Sequence, residues 1–295
     1  MRKEFLLVAL LLIIAAGWFF LKPKEETPVV KCPSTCEYGC MPGTTKCREP
    51  PPLACPSTCL WGCFPNTTEC KPEPLTKENV TKCGAVIDNL LIKSNTQSEG
   101  TCMVIQNDNL VVDCNGFRMK GSGKTSSYGF YIVGRKNITI LNCVLEEFGI
   151  GVFIDSSSNV TISRVTTSKN LESGVVVRNS NDVVLNQIIT TNNGGVGVEM
   201  SNSNNIIFSN SRVSASNTSV SMKHCILKDF SNNLLCSEVS GEVDLVCDDV
   251  VFLAGKNNEC SINEGCDISC LLCAFSDLPE SIGNETIHSG EAESD

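Results

Sequence analysis

The chain has 295 residues, a net charge of −10 and 41% hydrophobic residues. That length allows one or two domains, and the acidic balance argues against a general nucleic-acid binder, which needs a basic stripe to neutralise phosphates. Nineteen cysteines point to an oxidising compartment, where disulfides form and persist.

Residues 5–21, FLLVALLLIIAAGWFFL, are uncharged throughout. As a helix rising about 1.5 Å per residue they would cover roughly 25 Å, the short end of a membrane span. Arg2 and Lys3 precede the run, so the positive-inside rule keeps that end in the cytoplasm and sends the chain after Lys22 outside. A cleaved signal peptide is the alternative, with AAG at 15–17 as its site. Cleavage there would leave a WFF start, and the apolar run continues past it. The expectation is an uncleaved, single-pass membrane anchor over residues 1–24, with the bulk of the chain extracellular.

Eleven of the twelve prolines lie between Pro23 and Pro74, and residues 75–278 contain none. The first stretch therefore reads as an extended stalk over 25–74, and the second as a domain whose backbone N–H groups nearly all donate to ladders. Within the stalk, CPSTCEYGCMPGTTKC (32–47) and CPSTCLWGCFPNTTEC (55–70) repeat the spacing C-x3-C-x3-C-x6-C. So short a segment needs staples. Cys32, Cys36, Cys40 and Cys47 are expected to form one two-disulfide module, and Cys55, Cys59, Cys63 and Cys70 a second. Three pairings are open within each. The spacing does not suit zinc, which favours close cysteine pairs separated by a longer stretch. No metal or other cofactor is expected.

From residue 79 to 108 the chain enters the next domain, with Cys83 and Cys102 placed for a local disulfide. There a period emerges. NLVV (109), NITI (137), NVTI (159), DVVL (182) and NIIF (205) have their first apolar residues at Leu110, Ile138, Val160, Val183 and Ile206, spaced 28, 22, 23 and 23. A second series (GFYI at 129, GVFI at 151, GVVV at 174, GVEM at 197, SVSM at 219) runs in step with spacings of 22, 23, 23 and 22. Each unit carries short alternations of apolar residues separated by Gly, Asn and Ser, the pattern of strand and turn. Such strands recurring every 22–23 residues predict a single-stranded parallel β-helix of about 5–7 coils over 75–240, all-β in class. Coils stacked about 4.8 Å apart align Asn109, Asn137, Asn159, Asp182 and Asn205 as a corner ladder, residue types that tolerate left-handed backbone. Leu110, Ile138, Val160, Val183 and Ile206 stack inside, as do Phe130, Val152, Val175, Val198 and Val220. Cys114 and Cys143 fall at neighbouring core positions, as a disulfide or as buried thiols. Residues 241–275 lose the period and gain five cysteines, which suggests a cross-linked cap. The polar, acidic 276–295 read as a disordered tail.

On NITILNCVLEEFGIGVFIDSSSNVTI and DCNG (113–116), the segment 80–240 resembles the right-handed parallel β-helix repeats of the carbohydrate-binding and sugar-hydrolase (CASH-type) group. The resemblance implies the right-handed fold and a function among surface proteins and carbohydrate-active enzymes. The constellation of polygalacturonase-like hydrolases (an Asn-Thr-Asp strand, a paired Asp-Asp, a Gly-His-Gly and an Arg-Ile-Lys) does not occur. Neither does the Trp-Ile-Asp-His of pectate lyases.

If Val152 and Ile154 point inward, Tyr131, Phe153, Val176, Glu199 and Ser221 form one outward column, and Val133, Asp155, Arg178 and Ser201 the next. Two aromatics beside Asp155, Arg178 and Glu199 make a candidate sugar-binding patch. The plainer reading is ordinary surface, with Asp155–Arg178 a weak ion pair. No catalytic residue is assigned, because Asp155 and Glu199 stand two coils, or roughly 10 Å, apart, at the edge of the inverting range. KGSGKTSS (120–127) lacks the first glycine of a phosphate loop, Arg118 standing there. Six N-x-[ST] sequons occur, at Asn66, Asn79, Asn137, Asn159, Asn217 and Asn284. Asn137 and Asn159 belong to the ladder and are engaged there, and of the others Asn66, Asn79 and Asn284 are taken as the better glycosylation candidates. The expected function is a membrane-anchored surface protein that is structural, adhesive or glycan-binding. Its expected partner is a cell-surface polysaccharide or surface-layer protein, and a polysaccharide lyase or glycoside hydrolase is the alternative.

Overall fold

The computed structural model describes residues 46, 56–59, 63, 68, 70, 74–75, 81–214, 217–236 and 243–273. The chain divides into two compact units, and every described residue except Lys46 and Thr68 belongs to the second. Among the described residues no helix is long and apolar enough to cross a membrane. The anchor expected over 1–24, the module cysteines Cys32, Cys36, Cys40, Cys47 and Cys55, the sequons at Asn66, Asn79 and Asn284, and the tail lie outside them.

The second unit is a parallel β-helix of about seven turns. Each turn lays down short strands on three faces, and strands inside the stack pair in parallel with their equivalents one turn before and after. On the first face the strands 84–86, 103–105, 128–133, 150–155, 175–178, 196–201 and 218–223 follow one another. The second face stacks 110–113, 136–141, 158–163, 181–186 and 204–209. The third includes 118–120, 143–146, 165–168, 188–191, 212–213 and 234–235. Parallel pairing does not stop at residue 240. Val220 and Met222 pair with Leu245 and Cys247, and Asn258 pairs with Cys270.

Alternation turns one side of each strand inward, and register stacks equal positions into columns. Phe130, Val152, Val175, Val198 and Val220 are fully buried in one such column, and Ile138, Val160, Val183 and Ile206 in another. Phe208 and Phe230 pair in register, and Phe252 packs beside Phe230, with ring centroids 5.6 and 5.3 Å apart. Each buried aliphatic side chain contributes roughly 1.5–3 kcal/mol, so the stack coheres although each turn adds only a few.

The corners decide which residues the period must repeat. Asn109, Asn137, Asn159, Asp182 and Asn205 all have left-handed backbone, with φ between 52° and 60°. Their side chains bridge the turns. Asn137 Nδ2 donates to Asn109 Oδ1 at 2.6 Å and Asn159 Nδ2 to Asn137 Oδ1 at 2.8 Å, while Asn205 donates to Asp182. A second ladder is buried. The N–H of Arg135 donates to Ser157 Oγ (3.1 Å), that of Ser157 to Ser180 Oγ (3.1 Å), and that of Ser180 to Ser203 Oγ (3.0 Å). Each of these hydroxyls donates in turn to the carbonyl two residues back, which satisfies backbone groups a tight corner would strand.

Disulfides bind the turns together. Cys83 bonds Cys102 and Cys114 bonds Cys143, each joining adjacent turns. At the far end Cys236–Cys273, Cys247–Cys266 and Cys260–Cys270 lock the last strands. In the second small module Cys59 bonds Cys70. Cys225 is the free cysteine among the described residues.

Two substitutions test this account. Ser180→Ala removes the acceptor for the buried N–H of Ser157 and should lower unfolding free energy by about 1–3 kcal/mol in urea titration. Gly174→Ala would place a Cβ 2.5 Å from Thr167 Oγ1 and 2.7 Å from the carbonyl oxygen of Gly197. Overpacking of that kind costs about 1–3 kcal/mol in the same measurement.

Candidate functional site

The first face carries the one aromatic cluster on the outer surface among the described residues. Its strands hold Tyr131, Phe153, Val176, Glu199 and Ser221 in cross-turn register. The rings of Tyr131 and Phe153 stack at 5.7 Å between centroids, 15° from parallel. A third ring joins them. Tyr128 lies 5.1 Å from Tyr131 and 5.2 Å from Phe153, tilted to both. All three side chains are half-buried, so the cluster packs on itself and still presents ring surface outward.

Tyr128 escapes a strict alternation, which would turn it inward with Phe130. Gly129 and Phe130 are both buried while Tyr128 is only half-buried, so inward–outward alternation does not extend back through the glycine. The signal was present in the column of glycines at 129, 151, 174 and 197, where a side chain would strike the adjacent turn. Alternation cannot persist through such a column.

The charged residues gather around the aromatic cluster in a different pairing from the simplest one. Arg178 stands beside Asp155 in register, yet its Nη2 bonds Glu199 Oε1 at 2.8 Å. Its guanidinium carbon lies 5.8 Å from the centre of the Phe153 ring, within cation–π range. Asp155 instead accepts a 2.8 Å hydrogen bond from Asn179 Nδ2. The expected Asp155–Arg178 pair is therefore replaced by two others, because Glu199, one turn on, lets the guanidinium span Phe153 and a carboxylate together. Val176 is fully buried although it belongs to the outward column. The neighbouring ring of Phe153 and the Arg178–Glu199 pair flank it on this face.

The second outward column runs further than four residues. After Val133, Asp155, Arg178 and Ser201 come Lys223 and Asp248. Lys223 Nζ lies 2.9 Å from Asp248 Oδ2. The hydrogen bond from Lys223, then its charge, hold the Asp248 carboxyl below the ordinary carboxylate range, with a smaller push from His224. Tyr128, Tyr131, Phe153, Asp155, Arg178 and Glu199 thus lie on neighbouring turns of one face, with partly exposed rings beside charged groups. A cavity of about 810 Å³ lies elsewhere, between residues 252–258 and 266–271 near the last turns. It contains none of these residues.

A family model described as "Periplasmic copper-binding protein (NosD)" matches residues 76–250, more than half of the chain. No curated protein matches by sequence. Among solved structures, a protein of Parabacteroides merdae assigned as a glycosyl hydrolase is 11% identical with a TM-score of 0.34, over 60% of this chain and 79% of that one. The Agl-KA catalytic domain is 14% identical with a TM-score of 0.33 over 61% of this chain, which spans only 40% of that domain. The A-module of the mannuronan C-5 epimerase AlgE6 of Azotobacter vinelandii is 12% identical with a TM-score of 0.30, over 61% and 77%.

The pairing on this face predicts a titration. With a folded-state pKa below the unfolded one, the contribution of Asp248 is complete above the ordinary carboxylate range and fades as pH falls through the lowered value. Carboxyl-detected NMR should place Asp248 below a free aspartate, and Lys223→Gln should return it toward the ordinary value.

Proposed function

The chain belongs to the NosD family, and from that premise we propose that it is a membrane-anchored, outward-facing protein that binds glycan chains along the first face of its β-helix. The observation that carries the reading is the three-ring cluster with Arg178 laid between Phe153 and Glu199. Stacked rings with fixed polar neighbours match the alternating apolar and hydroxylated faces of a sugar. Export is supported by the disulfides and by the periplasmic description of the family model. The apolar run 5–21 behind Arg2 and Lys3 supports a single-pass anchor at the cell membrane.

Copper, which the family description names, does not fit the described residues. Among them no three His, Cys, Asp or Glu side chains come together as a metal site. The free thiol of Cys225 is buried, and burial pushes its pKa up, which disfavours the thiolate form in which cysteine binds metal. His224 is one of only two histidines in the chain.

A carbohydrate-active enzyme on the same fold is the alternative. Its two candidate carboxylates are already engaged, Glu199 with Arg178 and Asp155 with Asn179, which favours holding a ligand over transforming it. The full chain in lipid nanodiscs, applied to a glycan array with each bound glycan weighed afterwards, separates the two. The expected result is binding without cleavage, weakened about tenfold or more by Tyr131→Ala or Phe153→Ala, the loss of roughly 1.4 kcal/mol of stacking. A shortened glycan that survives intact with Asp155→Ala would establish the enzyme instead, and no binding at all would end the glycan reading.

A further inference from the structure

Ser219 is a buried hydroxyl for which the fold has no use. It is fully inaccessible and its Oγ has no hydrogen-bond partner, an arrangement that costs free energy and asks for a reason. Its position sharpens the point. Register places it above Gly197, Gly174, Gly151 and Gly129, so four successive turns put glycine where this turn has serine. The other two unpartnered hydroxyls, Thr167 and Thr190, fill the space opposite Gly174 and Gly197 and so pack the interior. Ser219 stands on the glycine side of that contact.

The reason lies two residues back. Asn217-Thr218-Ser219 is an N-x-[ST] sequon, and Asn217 is exposed in the bend that leads into the strand beginning at Thr218. The sequons inside the β-helix at Asn137 and Asn159 differ on both counts that matter. Their backbones are left-handed (φ 57° and 52°) and their Nδ2 atoms, the ones a sugar would take, donate to the ladder. Asn217 has neither constraint.

We propose that Asn217 is an N-glycosylation site and that Ser219 is retained as the sequon hydroxyl. Because folding buries Ser219, transfer takes place on the extended chain as it emerges outside the membrane. A membrane oligosaccharyltransferase supplies a lipid-phosphate-linked oligosaccharide. Asn217 Nδ2 attacks the anomeric carbon, the N–C bond forms, and the C–O bond to phosphate breaks. The lipid phosphate leaves and Nδ2 gives one proton to the transferase. The glycan then stands at the margin of the first face, beside the strand 218–223. The inference rests on export of the chain and is independent of what the aromatic cluster binds.

The test is glycopeptide mass spectrometry on the full chain isolated from the cells that make it. The expected result is a glycan on the Asn217 peptide, lost in Asn217→Gln and reduced at least tenfold in Ser219→Ala. Made in an oxidising host without the transferase, Ser219→Ala should unfold in urea at the same midpoint as the parent or a higher one. An unmodified Asn217 in the native protein overturns the proposal, whether or not Asn66, Asn79 or Asn284 carries sugar. So does undiminished modification in Ser219→Ala, or a lowered midpoint, which would give the hydroxyl a structural task after all.

Discussion

Parallel pairing between successive turns is the constraint on which the molecule depends. Strands inside the stack have a partner on both sides, so a residue's environment is set by the residues one turn below and above it. Spacing must then be kept to the residue. One extra position would exchange inside for outside along a whole strand. Where the first long loop intervenes, between Gly121 and Ser127, the added residues are confined to the corner and Gly129 and Phe130 resume the stack in register with Gly151 and Val152.

The same constraint explains the abundance of asparagine. Sharp corners require left-handed backbone, and of the twenty-one non-glycine residues with positive φ among those described, twelve are Asn. Backbone geometry, and not ligand chemistry, therefore accounts for the asparagine signature. Exceptions carry their own compensation: Arg164, at φ 53°, donates from Nε to Asn142 Oδ1 at 2.6 Å and so keeps its ladder joined. With the corners committed to structure, only outward strand positions are free to vary, and the aromatic and charged residues of the first face occupy those.

How much of that face could be read beforehand depended on the rule each residue obeys. Tyr131, Phe153, Asp155, Arg178 and Glu199 follow from alternation and a fixed period, and they do come together. Tyr128 did not follow, because a glycine column breaks the alternation locally. The pairing of Arg178 with Glu199, not Asp155, could not be read either. A long guanidinium chooses among carboxylates on neighbouring turns by the position of the Phe153 ring beneath it.

By itself the sequence determined the period, the parallel β-helix, the inward columns and the left-handed corners, because all of these are local consequences of residue type repeated at constant spacing. Only the tertiary structure decided the disulfide partners at the far end, where Cys236, Cys247, Cys260, Cys266, Cys270 and Cys273 admit many pairings and no period selects among them. It likewise decided that Cys225 stays free and that Ser219 is buried without a partner. Those facts depend on which side chains meet across turns, and proximity of that kind is a property of the folded stack, not of any segment of the chain.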